Sequence, residues 1–318
     1  MSASLPGIGW IGTGRMGFAL AARLLDAGYD VAVYNRTRAK AEPLSDRGAK
    51  IVDAPVDLAD REIVFVMVSG PADLEAVTGG DSGLLTQPDA VPRIVVDSST
   101  VSIEASASVR GSAAARGAKF LAAPVSGNPK VVRAGKLTFA VSGPRDAFDE
   151  VKPLLQCLGR GVIYVGDDEV ARLVKICHNV FLGVVIQSLC EITLLAERGG
   201  TSRAAFLEFL NESVMGSAFT QYKSPALVNL DFAPTFTMPL LSKDFDLGLA
   251  AAHDLAVPMP LASAAAQLIA SAVGAGHREE DFATLILEQA RRSGIRLEPE
   301  NVDVDDGLGG KSVAAGQP

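Results

Sequence analysis

The sequence predicts an α/β chain in two parts. A domain of alternating strands and helices comes first, an all-helical domain follows, and one long helix joins them. Three observations predict this. Short apolar runs bounded by glycine and polar turns recur through the first half. Helical periodicity replaces them after about residue 200. Between the two lies Gly166–Gly200, apolar on most faces, opened by Asp167, Asp168 and Glu169 and closed by Gly199-Gly200. Carboxylates at the positive end of a helix and glycine past the other end are its start and stop signals.

Composition bounds the function. The chain has 318 residues, 48% hydrophobic and 21% charged, which suits a globular protein of about two domains. A net charge of −8 argues against a polyanion partner such as nucleic acid. No run free of both charge and proline reaches the roughly 18 residues of a membrane-span candidate, so no membrane role is expected. The opening MSASLPGIGW has no basic and apolar leader, and a cytoplasmic location is expected. Cys157, Cys177 and Cys190 lack CxxC spacing and read as reduced, mostly buried thiols. His178, His253 and His277 form no ligand motif, so no metal is expected.

The first elements carry the clearest chemistry. Ile8–Ile11 reads as a strand, Gly12-Thr13-Gly14-Arg15-Met16-Gly17 as a G-x-G-x-x-G turn, and a helix follows to Leu25 before a second strand at Val31–Tyr34. In that setting the first glycine makes the turn, the second lets backbone approach a pyrophosphate, and the third packs helix on strand. This is a Rossmann dinucleotide-binding unit. After the second strand an NAD site carries Asp or Glu for the ribose hydroxyls. Here Asn35 stands there, and Arg36 and Thr37, with Arg38 or Lys40 nearby, offer donors to a 2′-phosphate. NADP is therefore the expected cofactor, ahead of NAD.

Strands at 62–68, 93–97, 119–123, 137–141 and 162–165 continue the alternation. Val68-Ser69 and Thr100 fall at strand ends, where ligands gather in such sheets. Ser126-Gly127 is a small polar turn suited to a carboxylate. The joining helix would span on the order of 45 Å, buried along its length, with Lys175, His178 and Asn179 on one face. A buried lysine beside hydrogen-bonding groups must be paired or functional. Helices at 203–210, 241–254, 261–275 and 281–293 fill the second part, with Lys243-Asp244 opening one of them and prolines, Pro225 among them, punctuating the rest. The expected organisation is a Rossmann domain over 1–166, a helical domain over 167–297, and a disordered acidic, glycine-rich tail over 298–318.

Taken together, IGTGRMG, YNRTRAKAE, VDSSTVS, APVSG with AGKLTFAVSG, VKICHN and LSKDFDLGLAAA give a chain that resembles the β-hydroxyacid dehydrogenases. That group includes 3-hydroxyisobutyrate dehydrogenase, tartronate semialdehyde reductase and glyoxylate or succinic semialdehyde reductases. The blocks keep family order from residue 7 to about 295. The resemblance implies that Lys175 is the general acid/base and that Asn179 holds substrate and lysine. It gives Ser126 and Gly127 the substrate carboxylate, and Val68, Ser69, Thr100 and Lys243 the cofactor. It also implies a homodimer or homotetramer formed through the helical domain.

Two positions depart from the family pattern. His178 stands where an asparagine is usual, which makes Lys-x-x-His-Asn, a pattern of 6-phosphogluconate dehydrogenases, although Leu182 replaces the glutamate those enzymes carry one turn later. Asn128 replaces a glycine of the carboxylate loop. Both would suit a longer or more hydroxylated substrate. The reaction expected is NADP(H)-dependent hydride transfer to or from a β-hydroxyacid, a carboxylate-bearing semialdehyde or a 2-oxoacid. The alternatives are an imine reductase on the same fold, in which Asp or Tyr typically replaces the lysine, and a catalytically silent NADP-binding module.

Overall fold

Residues 5–308 are described, in a computed structural model of the chain. The chain forms two compact units, Met1–Lys175 and Ile176–Pro318.

The first unit contains β1 (Ile8–Ile11), α1 (Arg15–Asp26), β2 (Val31–Tyr34), β3 (Lys50–Ile51), β4 (Ile63–Val66), α2 (Pro71–Gly79) and β5 (Ile94–Asp97). It continues through α3 (Ile103–Ala115), β6 (Lys119–Ala122), β7 (Val125–Ser126), α4 (Pro129–Arg133), β8 (Thr138–Ser142), α5 (Arg145–Leu158) and β9 (Gly161–Gly166). Strands β3-β2-β1-β4-β5-β6 lie side by side and parallel, the order of a doubly wound dinucleotide sheet. β8 then pairs antiparallel with β6 and β7, and β9 runs parallel to β8. The central strands are buried on both faces and rich in Val and Ile, as a covered parallel sheet requires. Met67 and Val68, expected inside the third strand, lie just past the end of β4. β3 and β7 are two residues each, too short for a periodicity signal.

The long helix, α6, runs from Val170 to Arg198 and crosses the division between the units. It starts later than the acidic run suggested. Gly166 at φ +135° and Asp168 at φ +53° hold the chain in left-handed backbone, so Asp167–Glu169 precede the helix. Expected burial along the whole helix does not hold. Val170, Val174, Phe181, Ile192 and Leu195 are exposed, and Phe181 is 69% exposed. By length and composition α6 also qualifies as a membrane-span candidate, with mean hydropathy 1.8 over 18 residues, half of them buried inside the protein. Counting charge-free runs missed this, because isolated Lys or Glu residues interrupt a run without lowering its mean hydropathy much.

The second unit adds α7 (Arg203–Glu212), α8 (Ala218–Asn229), α9 (Met238–Asp254), α10 (Pro260–Gly274) and α11 (Leu285–Arg292). No helix was expected over α8, and Pro225, read as punctuation, stands inside it. Lys243 does not open α9 but lies in its second turn. Helices α6 and α9 approach closely through two glycines. A Cβ on Gly183 would fall 2.2 Å from the Phe245 ring, and one on Gly248 would fall 2.4 Å from Val180. Among the cysteines only Cys190 is buried, and burial pushes its thiol pKa up; Cys157 is half-buried and Cys177 exposed.

A disordered tail from residue 298 is not what residues 298–308 form. Buried Arg203 donates to the Glu298 carbonyl at 2.5 Å, and the Glu300 carboxylate accepts from the Arg203 and Ala204 N–H groups at 2.6 and 3.1 Å. Asn229 and Val302 exchange two further bonds. A buried guanidinium needs such partners, and the low apolar content of the segment gave no hint of them. The remainder of the expected tail, 309–318, lies outside the described residues.

Candidate active site

The glycine turn leaves β1 in a conformation that only glycine tolerates. Gly12 has φ +97°, and a Cβ there would lie 2.1 Å from the Met67 carbonyl. At Gly17 a Cβ would lie 2.0 Å from the Gly12 carbonyl, so this glycine lets α1 close onto the strand. Trp10, stacked on Phe65, donates through Nε1 to that same carbonyl at 2.9 Å. Gly14 differs from both: nothing lies within 4 Å of its added Cβ. Its open face is where backbone must approach a ligand. The fully buried Thr13 hydroxyl beside it has no hydrogen-bond partner, a polar atom left for one.

A cavity of about 310 Å³ opens on this face, lined among others by Gly12, Gly14, Asn35, Arg36, Thr37 and Lys40. Val68 and Ser69 line it too, so the structure brings most of the expected cofactor residues together. Thr13, Arg15, Met16, Gly17, Thr100 and Lys243 are not among the lining residues. Arg15 is exposed at the start of α1, and Met16 packs on the sheet core. Asn35 has a role that the sequence did not suggest. Its Oδ1 accepts from the Thr13 N–H at 2.8 Å while its Nδ2 donates to the Thr37 carbonyl at 2.8 Å, bracing the turn against the next loop. Arg36 reaches across the cavity to Asp73, 2.8 Å away on α2, and Arg38 pairs with Asp53. Asp73 is the acid that the sequence reading missed. It stands one helix away from the arginine it restrains.

At the end of β5, Thr100 follows a buried network. Asp97 accepts through Oδ1 from the Ser99 N–H at 3.0 Å and the Ser99 hydroxyl at 2.6 Å, and Ser99 Oγ accepts from the Val68 N–H at 2.9 Å. Arg172, in the first turn of α6, completes this network from the other side. Nothing in the sequence singled it out. Lys175 follows one turn later, half-buried.

In the loop after β7, Gly127 has φ +140°, and a Cβ there would lie 2.8 Å from Val131 and Leu137. Asn128 was expected to meet substrate, and one half of its side chain is already committed. Its Oδ1 caps α4, accepting from the Lys130 and Val131 N–H groups at 2.9 and 3.1 Å. Those two bonds fix the amide so that Nδ2 faces away, and this buried donor has no partner.

Within the second unit, Asn179 donates through Nδ2 to Asp244 Oδ2 at 2.5 Å, and Oδ1 of the same amide lies 2.9 Å from His178 Nδ1. The carboxylate orients the amide, so Oδ1 faces the imidazole and His178 carries its proton on Nδ1. Asp244 is buried and lies 3.5 Å from the Lys243 ammonium. Asp244, a residue that the sequence marked only as the neighbour of Lys243, thus links Lys243 to Asn179, and Asn179 in turn reaches His178.

Comparison with known proteins identifies the family. Residues 7–166 match the family described as the NAD binding domain of 6-phosphogluconate dehydrogenase. Residues 170–288 match the NAD-binding family of NADP-dependent 3-hydroxyisobutyrate dehydrogenase. An uncharacterized oxidoreductase of Bacillus subtilis is 35% identical over 279 residues, covering 87% of this chain and 97% of the relative. The 3-hydroxyisobutyrate dehydrogenase of Pseudomonas aeruginosa is 31% identical, over 87% of this chain and 96% of its own. The crystal structure of a 3-hydroxyisobutyrate dehydrogenase from Salmonella typhimurium superposes with a TM-score of 0.79 at 26% identity, over 89% of this chain and all of that one. The chain belongs to the β-hydroxyacid dehydrogenase family, NAD(P)-dependent oxidoreductases that act on the CH–OH group of hydroxyacids.

Proposed function

We propose that the protein is an NADP(H)-dependent dehydrogenase/reductase of a β-hydroxyacid, a carboxylate-bearing semialdehyde or a 2-oxoacid, with Lys175 as its general acid/base. The observation that carries the reading is the Gly14 cavity. It joins an open phosphate turn, an amide at residue 35 where an NAD site has a carboxylate, and the cations Arg36 and Lys40. Gly12–Gly17 would hold the pyrophosphate on backbone N–H groups, and Arg36, Thr37 and Lys40 a 2′-phosphate. When bound, the nicotinamide supplies or accepts the hydride. Lys175 gives a proton to the substrate oxygen as a carbonyl becomes an alcohol, and takes it back in the reverse direction. Asn179, its amide held by Asp244, offers that oxygen a fixed hydrogen-bonding group.

Substrate choice lies with Asn128 and His178. The buried, unpartnered Nδ2 of Asn128 suits a hydroxyl or carboxylate oxygen beyond those of the simplest acids. A homo-oligomer is the proposed assembly. Val174, Phe181 and Leu195 lie at multiples of seven residues along α6, and Phe181 and Leu195 are 69% and 73% exposed, apolar positions on one side of the helix that a second copy would cover.

The test is oxidation of NADPH with succinic semialdehyde, glyoxylate and tartronate semialdehyde, run beside Lys175→Ala. Turnover by the wild type and a loss of about 10²–10⁴-fold in kcat for the variant are expected. Full activity in the variant, or turnover of cyclic imines in place of acids, overturns the reading. Tight NADPH binding without turnover of any acid would identify a silent binding module.

A further inference from the structure

We propose that Arg172 is a positioning residue for the reaction: it holds the turn of α6 that carries Lys175 against the strand end that carries Thr100. The inference rests on the catalytic role given to Lys175 above.

Arg172 is 1% exposed and sits three residues before Lys175 on the same helix. Its guanidinium spends all three nitrogens. Nη2 donates to Asp97 Oδ2 at 2.5 Å, Nη1 to the Ser99 carbonyl at 2.7 Å, and Nε to Ser106 Oγ at 3.0 Å. The Ser99 carbonyl belongs to the peptide that leads into Thr100. Through Asp97 Oδ1 and the Ser99 hydroxyl the same network reaches the N–H of Val68, at the end of β4. One planar group therefore ties the first turn of α6 to the ends of β5 and β4.

Stability alone does not account for it. Taking a guanidinium and a carboxylate out of water costs about as much as their attraction returns, and apolar residues of like volume hold a core as well. What an apolar pair lacks is direction. A rigid fork bonded to three acceptors fixes the helix in both rotation and register. Other bonds would keep the helix start folded without it. Ser142 Oγ accepts from the Ala171 N–H at 3.1 Å and donates to the Asp168 carbonyl at 2.7 Å, and Arg110 pairs with Asp168 and with Glu169. Loss of the fork therefore loosens placement before it loosens the fold, and misplacement of a reacting group by about 1 Å costs on the order of 10²-fold in rate.

The experiment compares Arg172→Lys, Ser106→Ala and Lys175→Ala with the wild type in the full chain, using NADPH and the best acid from the panel. Melting temperature, NADPH affinity by fluorescence titration, kcat, KM and the pH profile of kcat are read for each. Arg172→Lys keeps the charge beside Asp97 but cannot reach all three acceptors. It is expected to bind NADPH within about threefold of wild type and to lose about 10- to 100-fold in kcat, with KM nearly unchanged and the pH profile lowered but not displaced. Ser106→Ala, which removes one bond and no charge, is expected to lose about threefold in kcat. An Arg172→Lys kcat within about twofold of wild type overturns the proposal, as does a loss that merely tracks weakened NADPH binding or a fallen melting temperature. Full activity in Lys175→Ala would instead sink the catalytic reading, and this inference with it. An inactive Lys175→Ala beside a fully active Arg172→Lys sinks this inference alone.

Discussion

Asn35 accepts from the Thr13 N–H through Oδ1, so the residue that follows β2 braces the phosphate turn. In NAD sites that position carries the acid for the ribose. Here the amide also donates to the Thr37 carbonyl, which a carboxylate cannot do. Under the proposed NADP reading, cofactor choice and turn geometry share this one side chain.

Asn35→Asp separates the two roles. The aspartate can still accept from Thr13, but it releases Thr37 and adds a negative charge beside Arg36 and Lys40. The NADPH dissociation constant is expected to rise about tenfold or more, about 1.4 kcal/mol, while that of NADH holds or falls. Titrating the variant with both cofactors checks it. An unchanged ratio of the two constants would remove Asn35 from the account of NADP preference.

The buried Lys223–Asp281 pair, 2.5 Å apart, makes the helical unit acid-sensitive. Burial alone would raise the Asp281 carboxyl. The Lys223 ammonium and the donors Thr235 and Ala283 outweigh burial and hold it below its usual 3.8. A carboxyl lowered on folding contributes stability that is complete above its unfolded pKa and is lost as pH falls towards the folded one. The melting temperature of the wild type should therefore drop below about pH 5, and that of Asp281→Asn should drop less over the same range. At pH 7 the variant is expected to be less stable by about 3–5 kcal/mol, because Lys223 is left buried without its counter-charge. Parallel melting curves from pH 7 to pH 3 would contradict this.

Phe181 tests the assembly. A glutamate on that exposed position of α6 faces water in a single chain and an apolar surface in an oligomer. Phe181→Glu is expected to shift the protein to monomers by size-exclusion chromatography with light scattering, with unfolding changed by no more than about 0.5 kcal/mol. An unaltered mass would place any interface elsewhere.

Much of the first unit was legible because its signals are local. G-x-G-x-x-G between two strands, the Asn35-Arg36-Thr37 run and strands dense in Val and Ile each announce themselves within one short segment. What stayed hidden depends on residues far apart in sequence. Asp97 and Arg172 are 75 positions apart and Asn179 and Asp244 are 65, and neither pair carries a spacing signal. The exposed seam of α6 was unreadable for a different reason. A helix apolar on most faces gives periodicity no direction, so Phe181 and Ile186 look alike until packing separates them. Residues 298–308 misled because a segment held by a few hydrogen bonds to Arg203 and Asn229 has the composition of one held by nothing.

The glycines between α6 and α9 imply epistasis. Gly183 receives the Phe245 ring and Gly248 receives Val180, and the same two helices carry the Asn179–Asp244 bond. Enlarging either glycine forces the helices apart and stretches that bond, whereas shrinking the facing side chain alone opens a void. Each change is harmful by itself and tolerable beside its complement. Variation at these sites is therefore expected to be accepted in pairs, and a library that randomises α6 alone would discard solutions that one randomising both helices would keep.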